Sequence, residues 1–292
     1  MSSRPAEVFD LGYRGYEGER TGRWARRDAI WRDGIRISLG LGRGVGAKVA
    51  PWLLLALALV PMVVLVVVAA FVGPATNPDD FELPSYADYY GWAMVPLALF
   101  AAVVAPLLIC PDRSDRVLSL YAARPITPLD YVGARWAAFA TVALAAAWAP
   151  EAVLFAWNVL DAEHPGSFLR DNWEVVPRFL AAGALVATVL TTLALLVSSF
   201  ATRRAYASVA MLAVIFIGSA IGGIAEDNFS GGAADAVSLV GLPQATTDAV
   251  RWIFDDEVDR PVSGGVALLW LLGLTIVLAA WLVRRTNRLV RG

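Results

Sequence analysis

One histidine, His164, and one cysteine, Cys110, are the whole stock of imidazole and thiol metal ligands in these 292 residues. A lone thiol makes no intramolecular disulfide and no thiolate cluster, and a lone imidazole removes most zinc and haem sites. No Gly-x-x-x-x-Gly-Lys-Ser/Thr occurs: the glycines before Lys48 have the wrong spacing and no Ser or Thr follows. The chain is therefore expected not to hydrolyse ATP by itself. An enzyme working inside a membrane needs a nucleophile, base or metal set at bilayer depth, and the apolar runs carry none. They do carry Glu151, directly after Pro150. Ionisable groups at depth tend to face a bundle interior or a water cavity and to mark function, so Glu151 is a candidate pathway or gate residue. A plainer role stands beside it. The carboxyl lies nearer the external end of its run, where it can reach the interface or bond carbonyls freed by Pro150.

The elements that must position these residues follow from composition. The chain is 58% hydrophobic and 17% charged, with a mean hydropathy of +0.59. Soluble domains carry roughly 25% charged residues, so this composition is that of an integral membrane protein. Six apolar runs, at about 50–72, 90–109, 131–159, 176–200, 205–225 and 264–283, each approach the roughly 20 residues a spanning helix needs. The expected fold is all-α and polytopic, with residues 1–48 as an N-terminal segment, 49–283 as a six-helix domain and 284–292 as a basic tail. The third run exceeds what a bilayer requires, so it should tilt or project. Pro61, Pro96, Pro106 and Pro150 fall inside spans, where neighbouring helices can satisfy the freed carbonyls. The first apolar run begins near Val49, too late for a cleaved leader, and none is expected. No internal repeat is visible, which disfavours an inverted-repeat transporter.

Charge sets the expected topology. Twenty of the 24 basic residues lie in residues 1–48, in the connection at 109–136, in the turn holding Arg203 and Arg204, and in the tail. The opposite connections are acidic, with Asp79, Asp80, Glu82 and Asp88 in one and Asp255, Asp256, Glu257 and Asp259 in another. Positive-inside places both termini and the 109–136 connection in the cytoplasm. Residues 23–39 read as an amphipathic helix with Trp24, Trp31, Ile35 and Leu39 on one stripe and Arg26, Asp33 and Arg36 opposite, the pattern of an interfacial helix resting on membrane lipid. The external connection 226–262 reads as two short helices, at 233–242 and 245–254, with Trp252, Ile253 and Phe254 lying on the membrane surface. Gly218 and Gly222 form a Gly-x-x-x-Gly in the fifth run, which permits close helix packing within the chain or between copies.

The 109–136 connection carries its own punctuation. Ser114 is a candidate N-cap of a short helix, Asp115 sits favourably at its positive end, and Val117, Leu120 and Tyr121 form an apolar stripe. Pro125 stops that helix. Thr127 then caps the next one, with Pro128 at its first position and Asp130 facing back.

These residues carry a resemblance. Asp115, Leu118, Leu120, the run Arg124-Pro125-Ile126-Thr127, Tyr131 and Arg135 resemble the first cytoplasmic loop of ABC-2 type transporter permeases. That loop runs acidic-x-Gly-Thr-Leu, Arg-Pro-Val-Ser-Arg, then an aromatic and Gly-Lys. Here Arg116-Val117 replaces Gly-Thr, Pro128 the second Arg, and Ala134-Arg135 the Gly-Lys. The stretches DLGYRGYEG and GLGRGVGAKVAPW near the N-terminus are also similar to bacterial members. The resemblance implies an elbow helix bearing Trp24, Trp31 and Ile35, and a coupling helix in a loop at 110–130 that docks on a separate ATPase. Its docking residues would be Asp115, Arg116, Val117, Leu118, Leu120, Tyr121 and Arg124; short external helices would precede the sixth span. Two such permeases, as a homodimer or heterodimer, would pair with two ATPase subunits, which hold the ATP and Mg. No cofactor is expected in this chain and no nucleic acid among its partners. The expected activity is export of a lipid, drug-like compound, peptide or polysaccharide, with transition metals the least expected cargo. A basic complement that is all arginine except Lys48 fits GC-rich bacterial coding and hence a bacterial plasma membrane. A plain polar loop, a polytopic lipid-modifying or proteolytic enzyme, and a non-catalytic scaffold remain as alternatives.

Overall fold

Inside lipid a backbone must satisfy its own hydrogen bonds, so apolar runs of this length have the helix as their solution. The computed structural model describes residues 22–72, 83–115, 127–228, 231–257 and 262–291, and every regular element among them is helical. In chain order these are α1 (Arg23–Ser38), α2 (Val45–Val72), α3 (Tyr86–Ser114), α4 (Pro128–Asp161), α5 (Pro165–Asp171), α6 (Val175–Phe200), α7 (Arg204–Asn228), α8 (Gly232–Ser238), α9 (Leu242–Ile253) and α10 (Gly264–Arg291). Six of them, α2, α3, α4, α6, α7 and α10, are long and apolar enough to cross a membrane. Each covers one of the six runs read from the sequence.

α3 and α6 form the interior; α2, α7 and α10 pack around them and leave much of their apolar surface exposed. Two capping boxes set helix starts. Ser85 and Asp88 open α3, and Thr127 and Asp130 open α4 behind Pro128, as the local sequence predicts for α4. The third span is indeed long, at 34 residues or about 51 Å.

Three boundaries depart from the sequence reading. α3 does not stop near Ile109 but continues through Pro111 to Ser114, which is the last residue of this helix. Its hydroxyl donates to the carbonyl of Pro111 at 3.0 Å. The extra turn is held from outside: Arg113 Nη1 donates to the Ser199 carbonyl at 2.7 Å, and Asp112 accepts from Tyr131 and Arg135. Tertiary bonds thus hold the turn beyond the apolar run. The last helix is longer than the sixth apolar run, because α10 continues through the basic tail to Arg291. The short helix α5 was not expected.

The two short helices expected between the fifth and sixth runs are present as α8 and α9, but α9 packs into the bundle. α9 is amphipathic and buries Leu242, Ala245, Thr246, Asp248, Ala249 and Val250 against α3, α6, α7 and α10. Phe254 stacks on Tyr86 at 5.8 Å between ring centroids. Ile253 and Phe254 are half-buried, and of the three residues expected at the surface only Trp252 is exposed.

Gly218 and Gly222 serve this docking. A Cβ at Gly218 would lie 2.9 Å from the Val240 carbonyl oxygen, and one at Gly222 would lie 2.9 Å from the Ser238 oxygen. Both faces are thus occupied within the chain by backbone, which has no side chain to move aside. Gly218→Ala with Gly222→Ala is expected to cost about 1–3 kcal/mol per site, as overpacking does. A lower thermal midpoint with unchanged oligomeric state in size-exclusion chromatography is the expected result. An altered oligomeric state at unchanged stability would place these glycines at a contact between copies instead.

Candidate functional site

The buried face of α1 is not the tryptophan stripe. It is Ile30, Gly34 and Ser38, at i, i+4 and i+8. Two of these are small, and that smallness sets the approach: a Cβ at Gly34 would lie 2.5 Å from the Ala138 Cβ of α4. Trp31 and Ile35 flank the contact half-buried, and Trp31 Nε1 donates to Thr141 Oγ1 at 3.2 Å. Trp24 is 77% exposed, with the Arg27 guanidinium 4.9 Å above its ring. A hydrophobicity stripe finds large residues, whereas close packing here selects small ones.

Laid along α4 in this way, α1 brings its polar residues onto two ionic centres. The first is Asp130, whose side chain is 1% exposed. It accepts from Arg23 Nε at 2.8 Å and Arg23 Nη2 at 2.9 Å, pairs with Arg27 Nε at 3.1 Å, and closes the capping box through the Thr127 amide at 3.0 Å. One carboxylate thus starts α4 and anchors the first turns of α1. The second centre is Arg135, 3% exposed. It donates to Asp33 of α1 at 2.8 Å and to Asp112 of α3 at 2.9 Å. Tyr131 adds its hydroxyl to Asp112 at 2.7 Å. Asp33 was expected opposite the tryptophan stripe of α1 and Arg135 among loop charges; here Asp33, itself 57% exposed, pairs with the buried Arg135.

The two centres bracket the connection at 115–127. Asp112 stands one turn before its start and Asp130 one turn after its end, and α1 is bonded to both sides. Of the expected docking residues, Asp115 is the C-cap of α3, with its amide bonded to the Pro111 carbonyl at 2.9 Å. It therefore sits at the negative end of α3. Arg116, Val117, Leu118, Leu120, Tyr121 and Arg124 lie outside the described residues.

The same end of the bundle is edged by arginines. Arg113 of α3 and Arg285 of α10 both donate to the Ser199 carbonyl, at 2.7 and 3.1 Å, where the C-terminal end of α6 is negative. Arg285 also lies 3.8 Å over the Phe200 ring. At the far end Arg178 is held by the Phe254 carbonyl, Asp255 and Glu174. The sequence asymmetry in charge thus becomes a bundle with one basic and one acidic end.

Glu151 belongs to neither centre. It is fully buried on α4, and neither carboxylate oxygen has a hydrogen-bond partner among the described residues. It does not satisfy the carbonyl that Pro150 frees. That carbonyl, of Ala146, accepts from the Tyr89 hydroxyl at 3.4 Å.

No family model matches the chain, and no curated protein matches it.

Proposed function

We propose that this chain is the membrane-spanning permease subunit of an ATP-driven transporter of the ABC-2 type, working as an exporter. A separate ATPase docks on the connection at 115–127, and a second permease subunit completes the pathway. The observation that carries this reading is the two-centred clamp. It fastens α1 to both sides of one connection, so a displacement there moves α1, α3 and α4 together. A plain loop between spans needs no such support, whereas a docking element must pass force into the bundle instead of flexing. α1 then takes the part of the elbow helix. Apolar exposed faces on α2, α7 and α10 leave room for the second permease and for lipid. The cargo is an amphiphile, peptide or glycan in this reading, and no residue singles out one of them.

The test is a search for a Walker-A ATPase encoded beside this chain, followed by reconstitution of the two: a stable complex, ATP hydrolysis raised by the permease and ATP-dependent efflux from vesicles are expected. A chain that binds no ATPase and leaves hydrolysis unchanged would be an enzyme or a scaffold.

The reading also requires the basic end to face the cytoplasm. With Cys110 replaced by serine, a cysteine at Asp256 should react with a membrane-impermeant maleimide in intact cells, and one at Ser119 only after the membrane is opened. The reverse pattern would turn the protein over and remove the docking site from the ATPase.

A further inference from the structure

Glu151 plays no part in docking, and its setting asks for a separate account. It lies on α4 ten residues before Asp161, about 15 Å from the acidic end. Its exposure is 0%, and among the described residues no donor reaches either oxygen. Healing the Pro150 break is a role already filled by Tyr89, which donates to the Ala146 carbonyl.

The groups in electrostatic reach of Glu151 are Tyr86, Tyr89 and Tyr90, all on α3. Two of these hydroxyls are spent elsewhere: Tyr89 on Ala146, and Tyr90 on the Phe179 carbonyl at 3.1 Å. Tyr86 receives Asn158 Nδ2 at 2.9 Å.

The charged groups on the other packed elements stand at the ends of the bundle. Lys48 lies in the first turn of α2, and Arg178 at the start of α6 is held by Glu174 and Asp255. Asp88 on α3 pairs with Arg251. Arg170 and Asp171 on α5 lie beyond the outer end of α4, while the charges of α1 and Arg284, Arg285 and Arg288 of α10 belong to the basic end. Among the described residues none forms an ion pair with Glu151. A bare carboxylate in such a place is far costlier than the neutral acid.

We propose that Glu151 is an internal proton-binding site of the bundle: in this closed arrangement its carboxyl holds a proton, and parting of the outer halves of α3 and α4 admits water and releases that proton. The exchange is complete in itself: the O–H bond breaks, the proton passes to water, and the carboxylate left behind is hydrated. The open arrangement binds one proton fewer than the closed one, so raising the pH favours opening. The open-to-closed ratio then rises by up to about tenfold per pH unit, the slope for one linked proton. This holds whichever protein docks at the basic end, and its failure would leave the docking reading intact.

Infrared spectra of the purified chain in lipid vesicles test proton occupancy. At pH 7 the wild type should show a protonated-carboxyl band that Glu151→Gln lacks. Identical spectra would mean that Glu151 is ionised and would overturn the proposal. Glutamine has the shape of the neutral acid, so the variant should fold. Should it not accumulate, dicyclohexylcarbodiimide on the unaltered chain decides. This membrane-soluble reagent adds a protonated carboxyl across its C=N bond, and the adduct rearranges to an acylurea. Modification mapped to Glu151 at pH 7 supports the proposal, and modification confined to other carboxyls overturns it.

Opening is read from a cysteine at Leu154, a buried neighbour one turn on, in the Cys110→Ser background. Its rate of maleimide labelling, divided by the rate in the same chain carrying Glu151→Gln, cancels the thiol's own ionisation. That ratio should climb with pH. A ratio flat across pH would overturn the coupling of proton release to opening.

Discussion

Arg135→Ala is expected to lower the stability of the purified protein by about 3 kcal/mol, because removing one member of a buried ionic group leaves its partners uncompensated. Arg135 is 3% exposed and joins Asp33 of α1 to Asp112 of α3. Its loss leaves Asp112, itself only 17% exposed, with the Tyr131 hydroxyl as its remaining partner at that centre. Arg32→Ala is the comparison. Arg32 pairs with Asp28 four residues back on the outside of α1, with both side chains well exposed. Pairs of that kind contribute less than about 1 kcal/mol. Thermal unfolding in detergent should therefore separate the two variants clearly. A cysteine placed at Ser38, buried where α1 meets the bundle, should become reactive in the Arg135→Ala protein and stay protected in the Arg32→Ala protein. Equal thermal shifts in the two would mean that the buried clamp gives no net stability. The Asp112→Leu, Arg135→Met pair should regain most of what the single change loses, since apolar residues of similar volume avoid the orphaned charge.

The sequence disclosed what depends on local order or on simple length. Six spans were legible because hydropathy over some twenty residues needs no knowledge of neighbours. The start of α4 was legible because Thr127, Pro128 and Asp130 make a complete signal within four residues. What escaped depends on partners far along the chain. Asp33 and Arg135 are 102 residues apart, and nothing local says that they meet. Asp33 read as a charge opposite the tryptophan stripe of α1, which its 57% exposure fits, and Arg135 as one more loop arginine; their pairing was what could not be read. The face by which α1 meets the bundle was not legible for a related reason. Gly34 and Ser38 carry no hydropathy signal, yet their size alone lets α1 approach Ala138. Glu151 was flagged by its depth. Its lack of a partner was not readable, because the sequence cannot show that Tyr89 takes the carbonyl beside Pro150.

Replacing Leu120 and Tyr121 together by alanine is expected to weaken ATPase binding by about 2 kcal/mol or more, the loss typical of truncating anchors at the centre of an interface. The resemblance to ABC-2 permeases puts these residues, with Val117, on the apolar stripe of the docking helix. The structure supplies the reason that such a contact would be felt at a distance. Asp112 and Asp130 flank the connection, and Arg135, Arg23 and Arg27 bind those flanks to α1. Force applied between them meets a braced frame. The double variant should insert and accumulate like the wild type, and its thermal midpoint in detergent should be unchanged, since an anchor at an interface with another protein is not part of the bundle's own packing. Recovery of the ATPase in pull-down should fall by about thirtyfold at limiting concentration, the ratio to which 2 kcal/mol corresponds. Residual hydrolysis should no longer be tied to efflux. Arg124→Ala should do less, because a charge at the rim of an interface contributes more to encounter than to hold. Arg135→Ala gives the opposite pattern, a destabilised bundle whose docking stripe is untouched. The two variants therefore separate the contact itself from the frame behind it. Full ATPase recovery and coupled transport in the Leu120, Tyr121 double variant would remove docking through this helix and leave residues 115–127 as an ordinary connection between two spans.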